Sequence, residues 1–194
     1  MQPLDEHYWN NRYLQQQTGW DLNEVSSPLK EYIDQLTNKQ LSILIPGCGN
    51  AYEAVYLAQQ GFTKITLLDI APALVEQLKQ RLQQHPQVHV LQGDFFEHNG
   101  SYDLILEQTF FCALHPSLRR QYVKTVYRLL KPQGKLAGIL FNRDFDKEGP
   151  PFGGSAEEYK PLFEPFFETI TFAPCYNSFI KRQGTEIFIN MVRR

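Results

Sequence analysis

Apolar positions along this chain change their spacing repeatedly, and the changes mark out the elements. Leu41, Ile43, Leu44 and Ile45 form a short apolar run of mostly branched side chains, which reads as a buried strand over 41–45. A second run, Ile65 to Leu68, closes on Asp69 and gives a strand over 64–69. Further strands are expected at 87–92, 102–107 and 135–141. Helices are expected between them: 51–60, stopped by Gly61; 72–84, opened by Pro72; and 116–130, opened by His115-Pro116 and closed before Pro132-Gln133-Gly134. Ahead of the first strand, 3–18 reads as helical, and Ser26-Ser27-Pro28 opens another helix to about Leu36. After 135–141 comes an irregular stretch from Asn142 to Gly154, then a short helix at 155–162. Two final strands, 166–173 and 185–192, have no helix between them and should pair antiparallel. Alternating strands and helices predict an α/β fold with a doubly wound, mostly parallel sheet. Ligands of such sheets sit at the carboxyl ends of the strands.

Those strand ends carry the candidate chemistry. The first strand runs into Pro46-Gly47-Cys48-Gly49, and twenty residues separate Gly49 from Asp69. That spacing places an acid beside a ribose in one βαβ unit, while the glycines let the backbone approach a bulky ligand. A dinucleotide fingerprint needs a third glycine where this chain has Tyr52, followed by Glu53. A carboxylate there would repel a pyrophosphate. A nucleoside without phosphates fits better, and S-adenosylmethionine combines adenine, ribose and a cationic sulfonium. The third strand ends in Gly93-Asp94-Phe95-Phe96, where an acid can take the exocyclic amine of adenine and a ring its face. The fourth ends in Glu107-Gln108-Thr109-Phe110-Phe111; Glu107 or Gln108 faces the cofactor, and the phenylalanines wall an acceptor pocket or enter the core.

Composition narrows the class without changing this picture. With 194 residues and 42% hydrophobic content the chain is expected to form one domain with a proper core. A net charge of −2 offers no basic surface for nucleic acid, and no apolar run approaches a membrane span. The first residues carry neither a basic segment nor an apolar core, so no signal peptide is expected. Cys48, Cys112 and Cys175 are widely spaced and form neither a zinc pattern nor a disulfide framework, which points to a reducing cytoplasm. His85 and His89 lack ligand spacing, so no metal is expected.

With these residues laid out, the chain resembles the thiopurine S-methyltransferase family of class I S-adenosylmethionine-dependent methyltransferases over nearly its whole length. The N-terminal aromatic pattern of that family appears as Trp9, Tyr13 and Trp20, and its double-proline loop as Gly149-Pro150-Pro151-Phe152. Tyr13 stands where many members have tryptophan, and Gln108 where thiopurine-metabolising members carry arginine and plant halide/thiol members often tyrosine. The resemblance implies a Rossmann-like seven-stranded sheet with an antiparallel C-terminal strand. A helical N-terminal lid over 1–38 would close on the cofactor, within one methyltransferase domain, 1–194. It implies cofactor contacts from Trp9, Tyr13, Trp20, Gly47, Gly49, Asp69, Asp94, Phe95 and Gln108. Acceptor contacts fall to Phe110, Phe111, Pro150 and Phe152, with no catalytic side chain assigned. The implied reaction moves a methyl group to a small soft nucleophile, a thiol or thiopurine-like sulfur, with halide or thiocyanate methylation as the alternative; the alternative of another class is a regulator that binds S-adenosylmethionine without turnover. The chain is expected to act as a monomer on small molecules, with no nucleic-acid or membrane partner.

Overall fold

In a computed structural model, which describes residues 3–194, seven strands form one sheet in the order β3-β2-β1-β4-β5-β7-β6. The strands are β1 (Ser42–Pro46), β2 (Lys64–Asp69), β3 (Val88–Gln92), β4 (Tyr102–Gln108), β5 (Leu130–Phe141), β6 (Phe167–Pro174) and β7 (Glu186–Arg193). The first five pair in parallel; β7 runs antiparallel between β5 and β6. The doubly wound sheet and its antiparallel last strand match the sequence expectation.

Alternation along the strands divides the core in two. Ile43 and Ile45 of β1, Leu104 and Leu106 of β4 and Ala137 and Ile139 of β5 face one way. On that side pack α2 (Ser27–Asp34), α3 (Tyr52–Gln59) and α4 (Pro72–Arg81), through Leu29, Ile33, Leu57, Leu74 and Leu78. Leu44, Ile105, Leu136 and Leu140 face the other way, onto Tyr122 and Val126 of α5 (Arg119–Leu129) and Tyr159 and Phe163 of α6 (Ala156–Phe163). A sheet covered on both faces accounts for strands that read as continuous apolar runs instead of alternating ones.

Several boundaries move. The N-terminal helix is α1, Glu6–Leu14, shorter than the expected 3–18. The Asp5 carboxylate accepts from the Tyr8 amide (2.9 Å) at its start, and Gln16 takes a left-handed φ of 54° just past its end. Met1 and Gln2 of the expected lid lie outside the described residues. Before α5, Pro116–Leu118 forms a separate 3-10 turn. Beyond α5 the chain extends at once: Leu130 already pairs with Tyr102, and the register then shifts before Leu104. Gly134 lies in this irregularity, where a Cβ would sit 2.8 Å from the Lys131 carbonyl. Ser26 occupies the N-cap of α2, but its hydroxyl makes no capping bond; its amide donates instead to Glu53 (3.1 Å).

Candidate active site

A cavity of about 1130 Å³ opens at the carboxyl ends of the parallel strands. The segments following β1 to β5 line it, and the N-terminal segment, Leu4 to Glu24, forms its outer wall.

The turn after β1 is its floor. Gly47 and Gly49 have φ of +56° and +50°. A Cβ on Gly47 would lie 2.2 Å from Cδ2 of Phe110, whereas one on Gly49 would meet only the Tyr13 hydroxyl, at 3.7 Å. Glycine at 47 is therefore demanded twice, by conformation and by the ring above it. The side chain of Cys48 is buried. Glu53, one residue past the missing third glycine, lines the cavity while accepting the Ser26 amide. Burial raises its carboxyl above the ordinary range.

Asp69 closes β2 and is 7% exposed. One oxygen accepts from the Ala71 amide (3.0 Å), the other from the Gly49 amide (3.4 Å). Burial is the largest influence on it and lifts its pKa to about 6 against those two bonds. Its carboxylate thus sits directly across from the glycine turn, in the wall of the cavity. The adjoining Gly93 amide donates to the Asp69 carbonyl (3.0 Å), which ties the end of β3 to the same place. Asp94 is exposed and lines the cavity, with one oxygen taken by the Phe96 amide (2.8 Å). Phe95 contributes one edge to the wall and packs the rest of its ring on Phe110 and Tyr122, at 5.1 and 5.5 Å between centroids.

At the end of β4 the alternation separates two neighbours. Gln108 reaches the cavity; Glu107 points the other way and is fully buried. The Oε1 atom of Gln108 is buried without a hydrogen-bond partner. A buried amide oxygen without a donor is costly, so this one suits a ligand that brings an N–H or ammonium group.

The expected aromatic cover is assembled on the outer side. Trp20 receives Trp9 and Tyr13 edge-on, at 5.6 and 5.9 Å, and all three line the cavity. Hydrogen bonds at Asn10, Asp21 and Trp20 help hold this segment down. The Ala73 amide donates to Asn10 (2.8 Å), Asn50 and Tyr52 donate to the Asp21 carboxylate, and Arg182 donates to the Trp20 carbonyl (2.7 Å).

Of the four expected acceptor-side residues, the structure brings Phe110 and Pro150 to the cavity. Phe111 is 1% exposed and lies in the core against Tyr122 and Tyr159 (5.1 and 5.2 Å), because a 3-10 turn over Phe111–Ala113 swings it away from Phe110. Phe152 is nearly buried behind the double-proline loop, edge-on to His115 (5.5 Å), with its amide bonded to the Cys112 carbonyl (2.7 Å). Both peptide bonds preceding Pro150 and Pro151 are cis. Arg143, Lys181 and Arg182, which the sequence reading did not single out, line this end beside Phe141 and Phe145. Arg182 faces the buried Glu186 (3.4 Å); among the described residues Arg143 and Lys181 have no ion-pair partner. No local pattern in the sequence marks these cations, since the antiparallel return of β7 is what brings 181 and 182 to the cavity.

Charge is therefore divided along the cavity. The carboxylates of Asp69, Asp94 and Glu97 follow β2 and β3, and Glu53 follows the glycine turn, whereas Arg143, Lys181 and the Glu186-paired Arg182 stand beside the ends of β5 and β7 across the sheet; Asp5, Arg12, Asp21 and Glu24 of the N-terminal segment add to the outer wall. Acids flanking a turn built for a nucleoside, aromatic cover and a buried amide oxygen suit a ligand that is cationic and has hydroxyl and amine donors. The residues present fit S-adenosylmethionine. Among the described residues no group of three or more His, Cys, Asp or Glu is placed to hold a metal, and no helix is long and apolar enough to cross a membrane.

Known proteins agree with this geometry. The thiopurine S-methyltransferase family model matches residues 4–186. A curated relative from Arabidopsis thaliana, "Probable thiol methyltransferase 2", is 30% identical over 184 residues, covering 92% of this chain and 81% of that protein. The Brassica oleracea "Thiocyanate methyltransferase 1" is 26% identical over 190 residues, covering 94% and 83%. In fold, the chain superposes on the Burkholderia thailandensis 1,6-didemethyltoxoflavin-N1-methyltransferase, crystallised with bound 1,6-didemethyltoxoflavin and S-adenosylhomocysteine. The TM-score is 0.77 over 97% of this chain and 86% of that one, at 15% identity. Nearly the full length of the chain, from the N-terminal aromatics to the first residue of β7, thus matches one family. The chain belongs to the thiopurine S-methyltransferase family and is an S-adenosylmethionine-dependent S-methyltransferase.

Proposed function

We propose that this enzyme methylates the sulfur of a small thiol in its anionic form, taking S-adenosylmethionine at the acidic end of the cavity and the acceptor at the basic end. The observation that carries this reading is the division of charge across the sheet: Asp69, Asp94 and Glu97 follow β2 and β3, and Arg143, Lys181 and Arg182 stand beside the ends of β5 and β7. Asp69 would hold the ribose hydroxyls, Asp94 and Phe95 the adenine, and Gln108 a donor of the methionine part. Trp9, Tyr13 and Trp20 form the lid, where their faces favour a cation and exclude water. Phe110 and Pro150 wall the acceptor.

When bound, S-adenosylmethionine supplies a methyl group already activated by its sulfonium. The side chains have to align the acceptor sulfur and keep it ionised. A free thiol has a pKa of about 8.5. Arg143 and Lys181, which have no ion-pair partner among the described residues, favour the thiolate, and the proton leaves to water, so no side-chain base is required. Two candidate bases are turned away from the cavity: Glu107 points into the core, and His115 does not line it, its Nδ1 lying beside the Ser117 hydroxyl (2.7 Å). Burial pushes the Cys112 thiol up, so it stays protonated and unreactive.

The same basic end suits thiocyanate or a halide, and the Brassica relative favours that second reading. The pH dependence of the methyl-transfer step separates the two. With a thiol the rate should climb with pH towards the thiol's pKa and then level; with thiocyanate, already an anion, it should stay flat. A flat profile with a thiol would overturn the proposed ionisation, and transfer to a matched alcohol in preference to the thiol would overturn the acceptor class.

A further inference from the structure

Glu107 is the most completely enclosed carboxyl group in the protein, at 0% exposure, and the proposed chemistry does not use it. Its place is engineered by its neighbours. On β5, Gly138 lies beside it, where a Cβ would come within 2.4 Å of the Glu107 Cβ. One carboxylate oxygen accepts the amides of both Phe110 (2.7 Å) and Phe111 (2.9 Å); the other accepts the Tyr122 hydroxyl (2.5 Å). Between carboxylate and amides the chain makes a turn with Thr109 at φ +58°, an uncomfortable value for a branched residue. That turn sends Phe110 over Gly47 into the cavity wall and Phe111 into the core. The bonding continues onward. The Cys112 carbonyl takes the Phe152 amide (2.7 Å), and Arg119 donates to the Gly153 carbonyl (2.5 Å), which anchors the loop carrying Pro150.

We propose that Glu107 is a positioning residue for the acceptor wall: by holding the amides of Phe110 and Phe111 it fixes the Gln108–Phe111 turn, and with it the place of Phe110 against the acceptor. The proposal rests on the reading that Phe110 and Pro150 form that wall. An acceptor oxygen is what the turn needs, not a charge. Glutamine at 107 presents one oxygen to the two amides and an NH2 group to the Tyr122 oxygen, whereas alanine leaves two amides and a hydroxyl buried without partners.

The test uses the full-length chain as Glu107→Ala and Glu107→Gln, with three readouts. Amide exchange at Phe110 and Phe111 by NMR needs no substrate; S-adenosylmethionine affinity is measured by calorimetry; kcat and KM are compared for a small aliphatic thiol and a bulkier aromatic one. Alanine should speed exchange of both amides at least a hundredfold and raise the acceptor KM tenfold or more. It should also shift the preference between the two thiols and weaken the cofactor, which Gln108 of the same turn would contact, by clearly less than it weakens the acceptor. Glutamine should restore exchange and KM to within about threefold of the wild type. Tyr122→Phe keeps the ring and deletes only one bond to the carboxylate. It should give an intermediate KM and serves in place of the alanine variant if that one does not fold. Unchanged exchange at both amides, or equal losses of cofactor and acceptor binding in all variants, would overturn the assignment. Lack of turnover of any thiol by the wild type would remove the acceptor reading, while the exchange data would still decide whether Glu107 holds the turn.

Discussion

Lowering the pH should loosen the enzyme's grip on S-adenosylmethionine, and Asp69 sets the amount. Its carboxyl is almost wholly buried and titrates at about 6 in the free protein. Two backbone amides already occupy part of it, so the ionised form is the one ready to accept further donors such as ribose hydroxyls. A ligand that binds the ionised form must displace the proton, so affinity is retained above that pKa and lost as the pH falls through it. Between pH 7 and pH 5 the protonated fraction rises from about a tenth to about nine tenths, which raises Kd about tenfold, or about 1.4 kcal/mol. Over this range the ligand's carboxylate stays ionised and its ammonium stays mostly protonated. Calorimetry at pH 7, 6 and 5 reads the slope directly. Asp69→Asn should bind more weakly at pH 7, by on the order of 2 kcal/mol for a charge-assisted contact, and show little slope. An affinity that is flat in the wild type would refute the assignment. A full slope surviving in the asparagine variant would move the proton to another group, Glu53 being the next buried carboxyl in the wall.

The remaining expectations concern the other parts of the cavity. Trp9 and Trp20 are the only tryptophans in the chain, so S-adenosylmethionine should change its fluorescence, and removing the residues before Asn23 should abolish tight binding while leaving the sheet folded by circular dichroism. Gly47→Ala should cost at least 1–2 kcal/mol of stability through its left-handed φ alone, measured by denaturant unfolding, and should raise the acceptor KM because Phe110 has to move. Arg143→Gln with Lys181→Gln should raise KM for anionic acceptors severalfold with cofactor affinity unchanged, as steady-state kinetics and calorimetry will show. In the ligand-free protein Glu107 titrates at about 7, above its unfolded value, so its burial favours the protonated fold and stability should fall as pH rises towards 7. Relative to Glu107→Gln, the wild type should lose on the order of 2 kcal/mol between pH 5.5 and 7.5; an equal trend in both proteins would contradict the burial argument.

How much of this was legible in the sequence depends on how local the physics is. Strands covered on both faces announce themselves as apolar runs, so β1, β2 and β4 were readable, and Gly47 with Asp69 followed from the turn and its spacing. Glu107 and Gln108 are told apart only by which way the strand's alternation falls against its neighbours. Phe110 and Phe111 are a harder case. Strand alternation alone would put them on opposite faces, but it does not say which one meets the cavity, and the 3-10 turn that decides this is held by a carboxylate buried behind it. Phe152 sits in a loop with no period at all, and its burial depends on contacts with His115 and Cys112. The cations at the far end come from two segments about forty residues apart, joined at the cavity only by the sheet order.

The central claim is that one end of the cavity takes S-adenosylmethionine and the other a small anionic sulfur nucleophile. Its most direct test is product analysis by mass spectrometry. The wild-type enzyme is incubated with S-adenosylmethionine and an equimolar mixture of small thiols, thiocyanate, iodide and the matched alcohols and amines, beside parallel reactions on protein and RNA. The account predicts that the methyl group appears on a thiol sulfur, in step with formation of S-adenosylhomocysteine, and that Arg143→Gln with Lys181→Gln reduces it. Methylation of the alcohol, the amine or a macromolecule, with the thiols untouched, would contradict it.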